Sequence, residues 1–175
     1  MGKVLMIVAQ QGFRDEELIV PREVLEREGH SVKVASLTRM KAHGSMGAAI
    51  QPDLAVYEAN PEFFDAVVVV GGPGSPALSD DETLRKLVIA ANSKGKIMGA
   101  ICLGPMTYAK AGILSGKKAT IWPGKRSVDL LRECAAAYVK EGVVVDGNVV
   151  TADGPQSAGK FGAELSAMLK RRSAQ

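Results

Sequence analysis

The sequence predicts an α/β three-layer sandwich, an open and mostly parallel sheet with helices on both faces. Two observations carry this. Short apolar runs at Lys3–Ala9, Asp65–Val70 and Ile97–Ile101 have a strand's length and suit parallel strands buried on both faces. Segments with helical caps and an apolar face alternate with such runs from end to end.

In chain order, Lys3–Ala9 is the first strand. Asp15 to Glu28 follows as a helix, with Asp15-Glu16-Glu17 at its N-terminal end and Gly29 as its stop. Pro21 lies inside this span and predicts a kink or a later start. Ser31–Leu37 alternates and reads as the second strand. The Gly-rich stretch Lys41–Asp53 reads as a small β-excursion. The Asp65–Val70 strand ends in the loop Gly71-Gly72-Pro73-Gly74, and Asp80-Asp81-Glu82 opens a helix to about Lys94. Ile97–Ile101 is the next buried strand, followed by Cys102 and a helix to about Ala111. Lys118–Ile121 reads as a short strand and Ser127–Cys134 as a short helix. Asp146-Gly147 between valine-rich runs signals a hairpin over Val143–Val150, and Ser157–Arg172 is the closing helix. No linker or repeat interrupts the pattern, which predicts one domain over residues 1–175.

Composition narrows the function. The chain has 175 residues, 46% apolar and 23% charged, with a net charge of +3, as expected of an ordinary globular domain. Lys170-Arg171-Arg172 is the densest basic cluster and reads as the solvated last turn of a helix. No aromatic platform accompanies it, so no nucleic-acid partner is expected. No apolar run approaches the ~20 residues that span a bilayer, so no membrane role is expected. Two cysteines and two histidines show no ligand spacing, so no metal and no cofactor is expected. A strand directly after Met1-Gly2 and the sparse cysteines lead to the expectation of a cytoplasmic protein.

The chemistry centres on Gly99-Ala100-Ile101-Cys102-Leu103-Gly104-Pro105. An apolar strand runs into Cys102 and a helix follows, as in a nucleophile elbow with a thiol in place of a hydroxyl. The helix N-terminus is expected to make the thiolate easier to form. In such a sheet, ligands bind beyond the carboxyl ends of the strands. Three loops meet there: that carrying Arg14, Asp15, Glu16 and Glu17, the loop Gly71-Gly72-Pro73-Gly74, and the elbow. Cys102 would attack an electrophilic carbon, Glu17 would exchange a proton, and the N–H groups of Gly72 and Leu103 would stabilise an oxyanion. The blander readings are a cysteine that only packs, a glutamate that only favours the helix dipole, and a plain turn. Cys134 reads as inert packing, His30 as a surface residue, His43 as a distant candidate base, and Trp122 as a core or pocket-wall residue.

Ile101-Cys102-Leu103-Gly104-Pro105, together with Val67-Val68-Val69-Val70-Gly71-Gly72, resembles the ThiJ/PfpI superfamily. The resemblance extends to Glu17-Leu18-Ile19-Val20-Pro21, Glu28-Gly29-His30, Val144-Val145-Asp146-Gly147-Asn148 and Asp153-Gly154-Pro155. It implies a flavodoxin-like, class I glutamine amidotransferase-like sandwich. The family includes deglycases, glyoxalases, intracellular peptidases and stress chaperones. The resemblance implies Cys102 as nucleophile, Glu17 as its protonated partner, and Gly72 and Leu103 as backbone donors. Gly71, Arg14 and Trp122 are expected to line the pocket. It also implies a homo-dimer or larger homo-oligomer.

Two positions depart from the family pattern. The peptidases place a histidine directly after the cysteine, where this chain has Leu103. Deglycase relatives often carry a histidine before a proline, where this chain has Trp122. The departures move the expectation towards an enzyme acting on reactive small carbonyls or glycated proteins. The other expectations are a redox-sensing or chaperone-like protein with an oxidisable Cys102, and an intracellular cysteine peptidase.

Overall fold

The chain begins with β1 (Lys3–Ile7), whose side chains after Lys3 are all buried, then β2 (Gln11–Phe13) and α1 (Asp15–Arg27). Next come β3 (Ser31–Ser36), β4 (Ala42–Gly44), β5 (Ala49–Ile50) and β6 (Leu54–Ala55). After two short 3-10 turns the chain forms β7 (Ala66–Val69), α2 (Ser75–Asp80), α3 (Glu82–Ser93), β8 (Ile97–Ile101) and α4 (Pro105–Lys110). It closes with β9 (Lys118–Ala119), α5 (Lys125–Glu133), β10 (Ala137–Tyr138), β11 (Val143–Asp146), β12 (Val149–Ala152) and α6 (Ala158–Ser173). This computed structural model describes residues 1–174.

Seven strands make the main sheet, in the order β11-β12-β8-β7-β1-β3-β6. Every neighbouring pair is parallel except the β11–β12 hairpin. The fully buried runs of β7 and β8 are its centre, as their unbroken apolar sequences predict. α1 packs on α6, and α6 covers β8 and β12; α2, α3 and α4 form the other helical layer. The fold is the predicted α/β sandwich.

Register places the site. Ile7 pairs with Val69, Val69 with Ala100, and Ile101 with Ala152. The loops after β1, β7, β8 and β12 therefore leave the sheet at one edge. Strand order reverses direction beside β1, and ligands settle at such a switch point.

Pro21 does not break α1. Gly162 of α6 packs directly against it, and a Cβ there would sit 3.0 Å from Pro21 Cα. The Gly-rich excursion supplies β4 and β5, which join β2 in a three-stranded sheet pinned to α1 by Asp15. Its carboxylate accepts from the N–H groups of Met46 (3.1 Å) and Ala48 (2.8 Å). The helix expected from Asp80 is preceded by α2 and starts at Glu82, with Asp81 as its cap accepting from the Leu84 N–H at 2.7 Å. β9 is shorter than expected and pairs with β10, two residues without a strand pattern of their own.

His30 is not a surface residue: it is 5% exposed. Its Nδ1 accepts from the Gly2 N–H at 3.0 Å, and its Nε2 lies 2.9 Å from Ser166 Oγ. The first bond fixes the tautomer, so Nε2–H donates to the serine. Burial lowers the His30 pKa, and the N-terminal amine and Lys170 add to this against Glu28 and Asp65.

Candidate active site

The elbow is real and tightly held. Cys102 has φ 60°, a left-handed conformation costly for any residue other than glycine. Its N–H donates to Ala152 O at 2.9 Å, and its carbonyl accepts from the Trp122 N–H at 2.9 Å. Two later segments thus clamp the peptide groups of the strained residue. Gly104 completes the turn, its N–H donating to Ile101 O at 2.8 Å. A Cβ at Gly104 would come within 2.3 Å of Val69 O.

Glu17 comes from the first turn of α1 and is 0% exposed. Its carboxyl and the Cys102 side chain meet over Gly71. A Cβ on that glycine would lie 2.5 Å from Glu17 Oε2 and 2.7 Å from Cys102 Cβ. Neither Glu17 oxygen has a hydrogen-bond partner of ordinary geometry. The Cys102 thiol and the Gly71 N–H favour its charged form at poorer geometry. Burial outweighs them and pushes the Glu17 pKa up to about 7.

The thiol does not behave as the elbow alone predicts. Cys102 is 8% exposed, and burial, followed by the Glu17 charge and hydrogen bond, holds its pKa well above the ordinary thiol range. The Leu103 and Gly72 N–H groups pull it the other way, which places both donors at the sulfur. The helix expected to favour the thiolate starts only at Pro105 and has six residues. Two acids this close titrate as a pair. A proton on Glu17 removes the like charge and supplies a donor to sulfur, so the neutral carboxyl is what permits a thiolate here.

These groups line a cavity of about 320 Å³ with Arg14, Gly72, Pro73, Leu103, Trp122, Pro155 and Gln156. Every residue expected at the site is brought there or, for Gly71, lies beneath it. Arg14 caps α1 and its guanidinium is paired with Glu16, Nε–Oε2 2.7 Å. Trp122 is a pocket wall and not core, 44% exposed. Neither histidine of the chain lines the cavity. A larger groove of about 920 Å³ adjoins it across Leu103.

The sequence reading missed Pro155 and Gln156. Their loop follows β12, which lies parallel to β8, the strand that carries the elbow. Asp153 organises this loop, with Oδ1 accepting from Ser157 Oγ at 2.6 Å and Gln156 Nε2 at 3.2 Å. Among the described residues there is no cluster of three or more metal-binding side chains, and no helix is long and apolar enough to cross a membrane.

The sequence model of the DJ-1/PfpI family matches residues 2–168. An uncharacterised protein of Methanocaldococcus jannaschii is 42% identical, over 97% of this chain and 83% of its own length. A Pyrococcus horikoshii protein named deglycase is 36% identical, over 96% of this chain and 99% of its own. A Caenorhabditis elegans protein named glutathione-independent glyoxalase is 28% identical, over 95% and 88%. Among solved structures, a ThiJ/PfpI domain protein from Brachyspira murdochii superposes with a TM-score of 0.93 at 32% identity, covering 97% of this chain and 96% of that one.

Proposed function

The chain belongs to the DJ-1/PfpI family, and on that premise we propose that it is a cysteine-dependent enzyme acting on reactive carbonyls, of glyoxalase or deglycase type. Relatives named deglycase and glutathione-independent glyoxalase support an enzyme of this kind. The observation that carries the finer reading is the Cys102–Glu17 pair, a buried thiol beside a carboxyl that is half protonated near pH 7, in a cavity without histidine.

An α-oxoaldehyde illustrates the chemistry. The Cys102 proton passes to Glu17, and sulfur forms a bond to the aldehyde carbon. The N–H groups of Gly72 and Leu103 receive the negative oxygen, which takes a proton to give a hemithioacetal. Glu17 removes the hydrogen from that carbon and returns a proton to the adjacent carbonyl carbon, while the hydroxyl proton passes to the adjacent oxygen through the enediol, leaving a thioester of a 2-hydroxy acid. Water then cleaves the carbon–sulfur bond and restores the thiol. The sum is one water added to the dicarbonyl, with no external oxidant or reductant. A carboxyl poised near neutrality suits both proton transfers.

Amide hydrolysis has less support, because no imidazole lines the cavity to form the ion pair with the thiol that activates Cys–His peptidases. The test is consumption of methylglyoxal without glutathione by the purified protein. Cys102→Ser is expected to reduce the rate at least ~10³-fold, as loss of a covalent nucleophile does elsewhere. A serine variant of full activity overturns the proposal.

A further inference from the structure

Trp122 has a fixed place that the reaction alone does not explain. Its backbone N–H is bonded to the Cys102 carbonyl, which ties the side chain to the elbow. Its carbonyl accepts from Ser127 Oγ at 2.6 Å and from the Gly124 N–H at 2.8 Å. The indole lies close against Gly154, where a Cβ would meet Cε3 at 3.0 Å and Cζ3 at 3.1 Å. A Cβ at Gly124 would be in ordinary contact, 3.6 Å from Cδ1. The close seat of the ring is therefore at Gly154, and 44% of the residue remains exposed. Pro73 and Pro155 line the same cavity.

The cavity of about 320 Å³ has room beside a three-carbon dicarbonyl for a larger group, and Trp122, Pro73 and Pro155 offer that group an apolar wall. The Arg14 guanidinium at the cavity is paired with Glu16.

We propose that Trp122 is a specificity-determining residue, its indole forming one wall of a slot that selects carbonyl substrates carrying a flat, apolar group beside the reacting carbon. This rests on the reading of Cys102 as the carbonyl nucleophile. The indole stacks on the flat group while the aldehyde carbon reaches sulfur.

Trp122 is the only tryptophan of the chain, so its fluorescence reports directly on the slot. Initial rates with phenylglyoxal and methylglyoxal are compared in the wild type, W122A, W122F and G154A. W122A is expected to lower kcat/KM for phenylglyoxal about tenfold more than for methylglyoxal, with the excess in KM. W122F is expected to restore most of the preference, and G154A, which displaces the ring, to weaken it. Equal losses on both substrates, or an unchanged ratio, overturn the proposal. A second measurement is independent of turnover. In C102A, acetophenone, which has no aldehyde, is expected to quench Trp122 at concentrations where acetone does not. Equal quenching by the two ketones overturns the slot. If the wild type consumes neither dicarbonyl, the reading of the reaction fails, and the fluorescence comparison alone decides the slot.

Discussion

Glu17 and Cys102 meet over the missing side chain of Gly71. A methyl group there would lie 2.5 Å from the carboxyl oxygen and 2.7 Å from Cys102 Cβ, and also 2.5 Å from Ile101 O. The carboxyl, from α1, and the thiol, from the end of β8, can approach only because nothing separates them. Gly71→Ala is therefore expected to push them apart, since the Ile101 carbonyl belongs to the sheet and cannot give way. A displacement of about 1 Å costs ~100-fold in rate, and overpacking costs about 1–3 kcal/mol of stability. Dicarbonyl turnover and urea unfolding of the same sample separate the two losses. Activity within twofold of the wild type would show that the close approach is not needed.

The Glu17 carboxyl should make stability fall as pH rises. Its pKa is about 7 in the folded chain, against 4.5 for the free group. Between these values the folded state keeps a proton that the unfolded state has released. Stability therefore declines from about pH 4.5 to pH 7 and is lowest above it, by about 3 kcal/mol at most. Glu17→Gln has no such proton to lose. It is expected to resemble the wild type at pH 5, to be more stable at pH 8, and to lose activity at both. Urea denaturation at the two pH values checks this; a variant less stable at pH 8 than the wild type would contradict it.

Much of this could be read along the chain, and the reasons are local. β7 and β8 announce themselves because strands buried on both faces need unbroken apolar runs. Cys102 stands out because a strand ending in small residues before Gly104-Pro105 has few other uses. What stayed hidden depends on partners far away in sequence. β10 is two residues, ordered by pairing with β9. Pro155 and Gln156 reach the cavity because β12 lies beside β8, a neighbour relation with no local signal. The thiol's raised pKa follows from its burial against Glu17, whereas the sequence shows only the elbow.

His30 was misread for the same reason, since its partner Ser166 lies 136 residues away. The pair joins the start of β3 to α6, and the Gly2 N–H joins the chain's start to both. The ring must be neutral to accept from Gly2. Its folded pKa is lowered, so its contribution is complete above the unfolded value of about 6.5 and is lost as pH falls through the folded value. His30→Ala is expected to flatten this acid limb and to cost about 1–3 kcal/mol near neutrality, where the buried Gly2 N–H loses its acceptor. Melting curves at pH 5 and pH 7.5 read both effects. An unchanged acid limb in the variant would remove His30 as its source.

Leu103 is the residue on which the choice of chemistry turns. Its N–H faces the Cys102 sulfur, and the residue borders both the Cys102 cavity and the larger groove. A leucine there adds apolar surface beside a thiol that burial already holds in its neutral form. Leu103→His replaces that surface with a group able to carry a positive charge beside sulfur, which favours the thiolate. A fall of one pKa unit raises the thiolate fraction, and with it alkylation by iodoacetamide at pH 7, about tenfold. Cys134 is a second free thiol, so the rate is read at Cys102 by peptide mass, with Cys134→Ser as control. The gain should fade as pH rises and the imidazole loses its proton. A rate unchanged at pH 6 to 7 would mean that the side chain at 103 does not reach the field of the sulfur, and the choice between carbonyl and peptide chemistry would then have to rest on the absence of histidine elsewhere in the cavity.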